Sequence, residues 1–528
     1  MKTIVMKKFN YYILTLVLLI SIPFNGLAQG KLEISDVRSA RLRNSGSILE
    51  NGEIKGYYVF FQSDKVDRKT NEYTLQISDE NLNKVKDIVF TDDKNIQLLE
   101  SSYNGSSIMF LFYDSKEKTL EYRAYDFTGK KVMNYVKELN KRSKMLIEST
   151  YGNKTEEGSN EALFDIEGSG YVTVYPVKEG KYFSYEVNYF FTDRKKQWTY
   201  EASEEQEDKW ASALYLGNTD SLVLFEVIKQ KTILSGKPHS WILALNIFSG
   251  KKAFEISTEL ESDYKFFPMN ISVIKGKKDF FLMGTYYDKD DRVMKDKSLG
   301  IAAWTLNDKG KIVSKKYNSW DTEIGKYLKS DQKGRVEDLG YVFFHKILQT
   351  EDGNFFAIGE GYKKVVSALG VMSSILNRGS GGGVSNFKIK VTDLVMMQFN
   401  KDFEIKAATI YDKYSNSIEL PSGAGFASPH TMALMVKAWG GFDYDFTKTN
   451  KSHSAFVTGY SDNEKSKDYK GLTFNTISYA NNKVTTDKIN LKTKASSLKV
   501  FPAKTGFIMI MEYFKKDKKL DMRLEKMN

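Results

Sequence analysis

The 528-residue chain predicts an all-β fold made of repeated four-stranded antiparallel sheets, on three observations. First, the stretch from Phe343 to Tyr411 contains four β-rich runs: Phe343–Leu348, Phe355–Gly359, Leu394–Phe399 and Phe403–Tyr411. Runs of Phe, Ile, Val and Tyr bounded by Gly, Asn and Asp have strand character, and about six to nine residues is a usual strand length. Second, the joining segments have hairpin chemistry. Thr350 to Asn354 carries Asp352-Gly353, and Asn400-Lys401-Asp402 joins the last two runs. Glycine accepts the positive φ of a tight turn, and the Asp carboxylate caps it. Third, weaker copies recur along the chain. One meander cannot bury both of its faces, so repetition is expected.

The first copy holds Gly56–Gln62, Tyr73–Ile77 and Val85–Phe90, with a turn at Asp79-Glu80-Asn81; Tyr73 to Ile77 alternates with period two. The second holds Ile96–Leu99, Ile108–Phe112, Leu120–Tyr125 and Val132–Leu139, turning at Asn104-Gly105 and Thr128-Gly129-Lys130. The third is Leu163–Ile166, Tyr171–Val177, Tyr182–Phe191 and Gln197–Tyr200. The fourth is Ala213–Leu216, Leu222–Val227, Trp241–Phe248 and Ala253–Ile256; the fifth is Asn270–Ile274, Phe280–Tyr286, Ile301–Leu306 and Ile312–Tyr317. The sixth is the template. The seventh takes Thr431–Trp439, Ala455–Tyr460, Leu472–Tyr479 and Val484–Leu491 as strands. The eighth has only three, Leu498–Phe501, Phe507–Tyr513 and Leu520–Leu524, and Leu32–Leu42 is the candidate for its missing strand. Joining the two ends in this way removes exposed edges.

This succession resembles a β-propeller of seven or eight four-stranded antiparallel blades, with a pair of β-sandwich domains as the alternative architecture. The resemblance covers nearly all of the chain after residue 28. It is structural, because only one Trp-Asp pair (Trp320-Asp321) and one Gly-Gly after Trp439 occur, neither forming a repeat signature. The Lys, Asn and Tyr richness and the turn style also resemble uncharacterised exported proteins of the Bacteroidetes, a likeness that implies no activity.

Residues 1–28 have the pattern of a secretory signal peptide. Lys2, Lys7 and Lys8 precede an apolar core from Tyr11 to Ile22, and Gly26-Leu27-Ala28 places small residues for cleavage before Gln29. Residues 29–528 are expected to form one domain, exported, and periplasmic rather than at the cell surface. The chain has no cysteine, so disulfide and thiolate chemistry are excluded. No later apolar run reaches the ~20 residues of a membrane-spanning helix. The formal charge is +11, or +8 without the leader lysines, and lysines are interleaved with acids. No basic stripe of the kind that binds nucleic acid is present.

Two segments are candidates for contact with other molecules. In the insertion 363–390, Val365, Leu369, Met372 and Leu376 stand at helical spacing before the Gly379–Gly383 run, which predicts a short apolar helix for a partner or membrane surface. Such a helix is too short to cross a bilayer. In Trp439–Phe446, the residues Trp439, Phe442, Asp443, Tyr444 and Asp445 alternate aromatic and acidic side chains. On a rim, that alternation suits stacking on a sugar and bonding to its hydroxyls; turned inward, it is an ordinary amphipathic strand. The acidic run Asp288 to Asp296 lacks the Gly and distal Glu of a calcium loop and reads as a solvated loop. His239, His345, His430 and His453 show no zinc spacing, and no nucleophile elbow or phosphate loop occurs. The sequence therefore predicts no catalytic residue, metal or cofactor. It points to a non-catalytic binding or scaffold protein of the cell envelope, with a glycan or an envelope protein as partner. The alternatives are a glycan-active enzyme on the same fold, and an assembly component docking through the insertion.

Overall fold

A computed structural model describes residues 30–527 apart from 51, 152–161, 193–195, 205–206, 233–237, 260–262, 274–278, 294, 367–386 and 420–426. The proposed leader, and Leu369, Met372 and Leu376, lie outside the described residues.

The described chain is all-β, and its strands fall into four-stranded antiparallel units in sequence order. The first has Glu53–Lys65, Thr70–Asp79 and Lys84–Asp93, with the short strands Ser39–Ala40 and Gly46–Glu50 both paired to Glu53–Lys65. The second runs Ile96–Tyr103, Ser107–Asp114, Thr119–Asp126 and Lys131–Glu138. The third runs Leu163–Ile166, Gly170–Glu179, Tyr182–Phe191 and Gln197–Glu201; the fourth runs Trp210–Asn218, Leu222–Gln230, His239–Asn246 and Lys252–Ser257. A single parallel bridge, Phe183 to Trp210, connects these two. The fifth is Tyr264–Val273, Phe280–Asp288, Gly300–Leu306 and Ile312–Ser319. The sixth is Tyr341–Gln349, Phe355–Val366, Phe387–Phe399 and Ile405–Tyr411, with Asn416–Glu419 added on the third strand. The seventh is Tyr444–Thr449, Ala455–Lys465, Lys470–Ala480 and Lys483–Leu491. The eighth is Ser497–Pro502, Phe507–Phe514 and Lys519–Lys526, and its fourth strand comes from the other end of the chain. Lys31–Ile34 pairs antiparallel with Leu520–Arg523.

Apolar side chains explain the order. Among the described residues, eight core clusters each join one sheet to the next, and a further one packs the sixth sheet against the helix Pro429–Ala438. Tyr58, Phe60 and Leu75 of the first sheet pack on Ile108, Phe110 and Phe112 of the second. The same holds through the chain to Phe474 and Leu491 of the seventh against Val500 and Ile508 of the eighth. The eighth returns to the first: Met509, Met511 and Leu520 pack on Tyr57, Val59 and Phe61. Sheets covered on both faces need no polar face in their middle strands. Ser107–Asp114 and Gly300–Leu306 are buried at every residue, whereas the outermost strands Lys131–Glu138 and Lys483–Leu491 keep charged residues on the solvent side.

Three local expectations are corrected. Thr431–Trp439 is not a strand: it lies in and just after helix α2, Pro429–Ala438 (α1 is Lys141–Tyr151). Ser428 caps α2, its Oγ accepting from Thr431 N at 3.1 Å, and Pro429 presets the first turn. The first strand of the seventh sheet is Tyr444–Thr449 instead. Helix α1 was not anticipated between the second and third sheets; the Asn140 side chain accepts from the backbone N–H groups of Arg142 and Ser143 at its start. Val365 does not begin a helix. Lys363–Val366 and Phe387–Lys390 pair with each other, so both ends of the predicted insertion prolong a hairpin of the sixth sheet. No helix among the described residues is long and apolar enough to cross a membrane.

Candidate functional site

The hairpin ends of the seventh, eighth and first sheets enclose a cleft of about 1080 Å³. Its walls are the turn after Tyr444–Thr449, the turn after Ser497–Pro502, and Gly52–Lys55. The cleft exists because these tips converge without meeting. Ser47 Oγ donates to Pro502 O at 2.8 Å, tying the first sheet to the eighth. Its floor is apolar: Ile54, Phe456, Tyr479 and Ile508 are buried, and Phe446 and Phe507 are half-buried around them.

The charged groups of the cleft are four lysines, Lys55, Lys448, Lys451 and Lys504, against two glutamates, Glu53 and Glu80. Lys55 is paired with Glu53 at 2.8 Å. Lys504 donates to Asn81 and lies over the Phe507 ring at 5.0 Å. Lys448 is half-buried, and its ammonium has no hydrogen-bond or ion-pair partner among the described residues. Burial pushes its ammonium down to about 8, and Glu53 only partly opposes this.

Of the predicted aromatic and acidic segment, Phe446 reaches the cleft, while Trp439, Phe442, Asp443, Tyr444 and Asp445 lie outside it, where the sixth sheet meets the seventh. Trp439 ends α2, half-buried, and packs with Phe442 onto the apolar cluster of that helix. Phe442 stacks on Phe343 at 5.1 Å, and Tyr444 stacks on His345 at 4.5 Å with the rings 3° from parallel. These ring faces are occupied by protein, the inward arrangement of the two considered. Asp445 is exposed at a strand irregularity and accepts from Ser461 Oγ at 2.8 Å. Asp443 faces inward.

Asp443 belongs to a buried ionic cluster centred on Glu360. The Glu360 side chain is wholly buried, as is that of Lys413, which lies 3.2 Å from Glu360 Oε1. Glu360 also accepts from the backbone N–H of Asp443 at 3.2 Å and of Tyr444 at 2.9 Å. Lys413 donates to Asp443 Oδ2, and Asn416 Nδ2 donates to Asp443 Oδ1 at 2.6 Å. His345 Nε2 stands 3.0 Å from Glu360 Oε2. His345 is the extra residue at a register shift between Phe344 and Lys346, which turns it towards Glu360.

Burial alone would raise the Glu360 carboxyl, but His345 and Lys413 hold it below the ordinary range. Burial lowers the His345 imidazole, and Glu360 opposes this. Burial pushes Asp443 up to about 6 despite Lys413, and the two carboxylates together keep Lys413 raised. Each Glu360 oxygen accepts at least one hydrogen bond from the protein. The cluster ties the sixth sheet to the segment that enters the seventh.

No group of three or more metal-ligating side chains occurs among the described residues. In the acidic loop, Asp291 accepts from Asp288 N at 3.2 Å and Asp296 accepts from Arg292 N at 2.7 Å, so these carboxylates close turns. Of the predicted contact residues in the insertion, Val365 is described and lies in a strand. The cleft residues were not picked out from the sequence. Lys448 and Lys504 sit in ordinary amphipathic strands and turns, and their convergence depends on three sheets distant in sequence. Glu360 carried a signal: a single acid inside the apolar run Phe355–Tyr362.

The chain belongs to the family of unknown function DUF6770, whose model matches residues 6–528. No curated protein matches it. Among solved structures it is similar to prolyl oligopeptidase B from Galerina marginata, with 9% identity over 90% of this chain and 56% of that one, at a TM-score of 0.38. It is also similar to an ACO/RPE65 chimera (8% identity, 52% of this chain, 61% of that chain, TM-score 0.30). A Synechocystis apocarotenoid oxygenase mutant matches at 8% identity over 50% of this chain and 58% of that one, with a TM-score of 0.28. The chain spans about three fifths of the length of the two oxygenase-type chains.

Proposed function

We propose that this member of DUF6770 is a non-catalytic binding protein of the cell envelope, built as an eight-bladed β-propeller, that takes its ligand in the cleft between the seventh, eighth and first sheets. The propeller reading is supported by core clusters that join each sheet to its successor and the last to the first. Two sandwiches would instead pair sheets within each half. The leader pattern supports export, with the periplasm as the destination.

The observation that carries the binding role is the cleft itself. It combines about 1080 Å³ of space, an apolar floor and unsatisfied positive charge, the features of a small-molecule site. A library of envelope metabolites, including soluble glycans, is screened by ligand-observed NMR against the purified protein and against Ala455→Trp, which fills the cleft. Ligands that bind the wild type and are lost in the folded variant are expected. Absence of any ligand, or equal binding to both proteins, would overturn the assignment of the cleft.

A further inference from the structure

We infer that the cleft is built for an anionic amphiphile, a small molecule with one acidic head group on an apolar chain or ring. This rests on the cleft being the binding site proposed above. The arrangement of charge and apolar surface leads to it. The lining offers the partly exposed apolar side chains of Phe446, Val457, Pro502, Phe507 and Met527, a surface from which an apolar body displaces water. A fully polar ligand such as a free sugar or inorganic anion would leave that surface unmatched.

The wall supplies the head-group partner. The other lysines of the cleft differ in how they are held. Lys55 is neutralised by Glu53, Lys504 is tethered to Asn81, and Lys451 is exposed at the mouth. Lys448 stands on the inner strand beside Phe446, half-buried, and its ammonium has no hydrogen-bond or ion-pair partner among the described residues. A cation withdrawn from water beside an apolar floor attracts a counter-charge, and a ligand carboxylate or phosphate provides it. Lys451 and Lys504 add positive potential at the entrance, so a cationic or zwitterionic amphiphile is disfavoured.

Isothermal titration calorimetry at pH 7 tests this with decanoate, 1-decanol, decylammonium and acetate, each below its aggregation concentration. The proteins are the wild type, Lys448→Met, Lys448→Arg and Ala455→Trp, each checked for folding by circular dichroism. Decanoate is expected to bind one to one. Decanol should bind at least tenfold more weakly, and decylammonium and acetate not measurably. Lys448→Met, which keeps the apolar stem, should lose about tenfold in decanoate affinity, and Lys448→Arg should retain it. Equal binding of decanoate and decanol, unchanged in Lys448→Met but lost in Ala455→Trp, would overturn the anionic assignment while leaving the cleft as the site. Decanoate binding that survives Ala455→Trp would place the ligand elsewhere and overturn both proposals. No binding by any probe overturns the amphiphile assignment.

Discussion

Asp443 shows how a single buried group sets a pH response. Its carboxyl is raised from an ordinary 3.8 to about 6, chiefly by burial. A raised acid favours the protonated folded state. The stability it contributes is therefore complete below about pH 4 and is lost as pH rises through 6. Asp443→Asn removes this titration. The stability difference between wild type and Asp443→Asn, followed by thermal melting from pH 4 to 8, is expected to move against the wild type by about 1–3 kcal/mol across that window. A difference that stays flat, or moves the other way, would show that Asp443 is ionised throughout. Glu360 was not singled out in the sequence, although it is the one acid in the run Phe355–Tyr362, and its partners carried no local signal. Lys413, Asn416 and Asp443 come from a connecting segment whose path no local pattern specifies, and only the stacking of two sheets brings them to one carboxylate.

At the scale of elements, strands were legible and helices were not. Hairpins declare themselves through short-range chemistry: the Asp352-Gly353 turn, with Gly353 at φ 85°, was readable because the positive φ demands a glycine. Thr431–Trp439 misled because its residues suit either state. Met, Leu and Val followed by Trp fit a buried strand as well as a helix face, and the deciding signal was Ser428-Pro429 just before them. The buried face of α2, His430, Met432, Ala433 and Val436, repeats with helical spacing. Ser428→Ala is expected to cost about 1 kcal/mol by removing the cap. Hydrogen exchange should locate the loss in α2, with amides there exchanging several-fold faster while the sixth-sheet hairpin is unaffected. The insertion after Lys363 shows a different limit. Its apolar spacing suggested a helix from Val365, yet a strand already under way in the sixth sheet continues through that residue.

At the scale of the whole molecule, the contribution of the N-terminal segment was readable, because the eighth copy visibly lacked a strand, whereas the number of copies was left at seven or eight. The cleft was not readable, since it forms from hairpin tips some hundreds of residues apart in sequence. The pairing of Lys31–Ile34 with Leu520–Arg523 makes its own prediction. A chain starting at Val37 leaves Lys519–Lys526 as an open edge, and open edges recruit other strands. Its melting temperature is expected to fall by several degrees, with concentration-dependent association in size-exclusion chromatography. An unchanged melting point and a monomeric profile at all concentrations would show that the strand is dispensable.

That same pairing also bears on how the molecule closes. The two strands that close the seam are separated in sequence by all the intervening sheets. Bringing them together closes a very long loop, so this contact carries a higher entropic cost of closure than any hairpin in the molecule. Until it forms, both partners present unpaired borders at once, and the same pairing satisfies both in a single step.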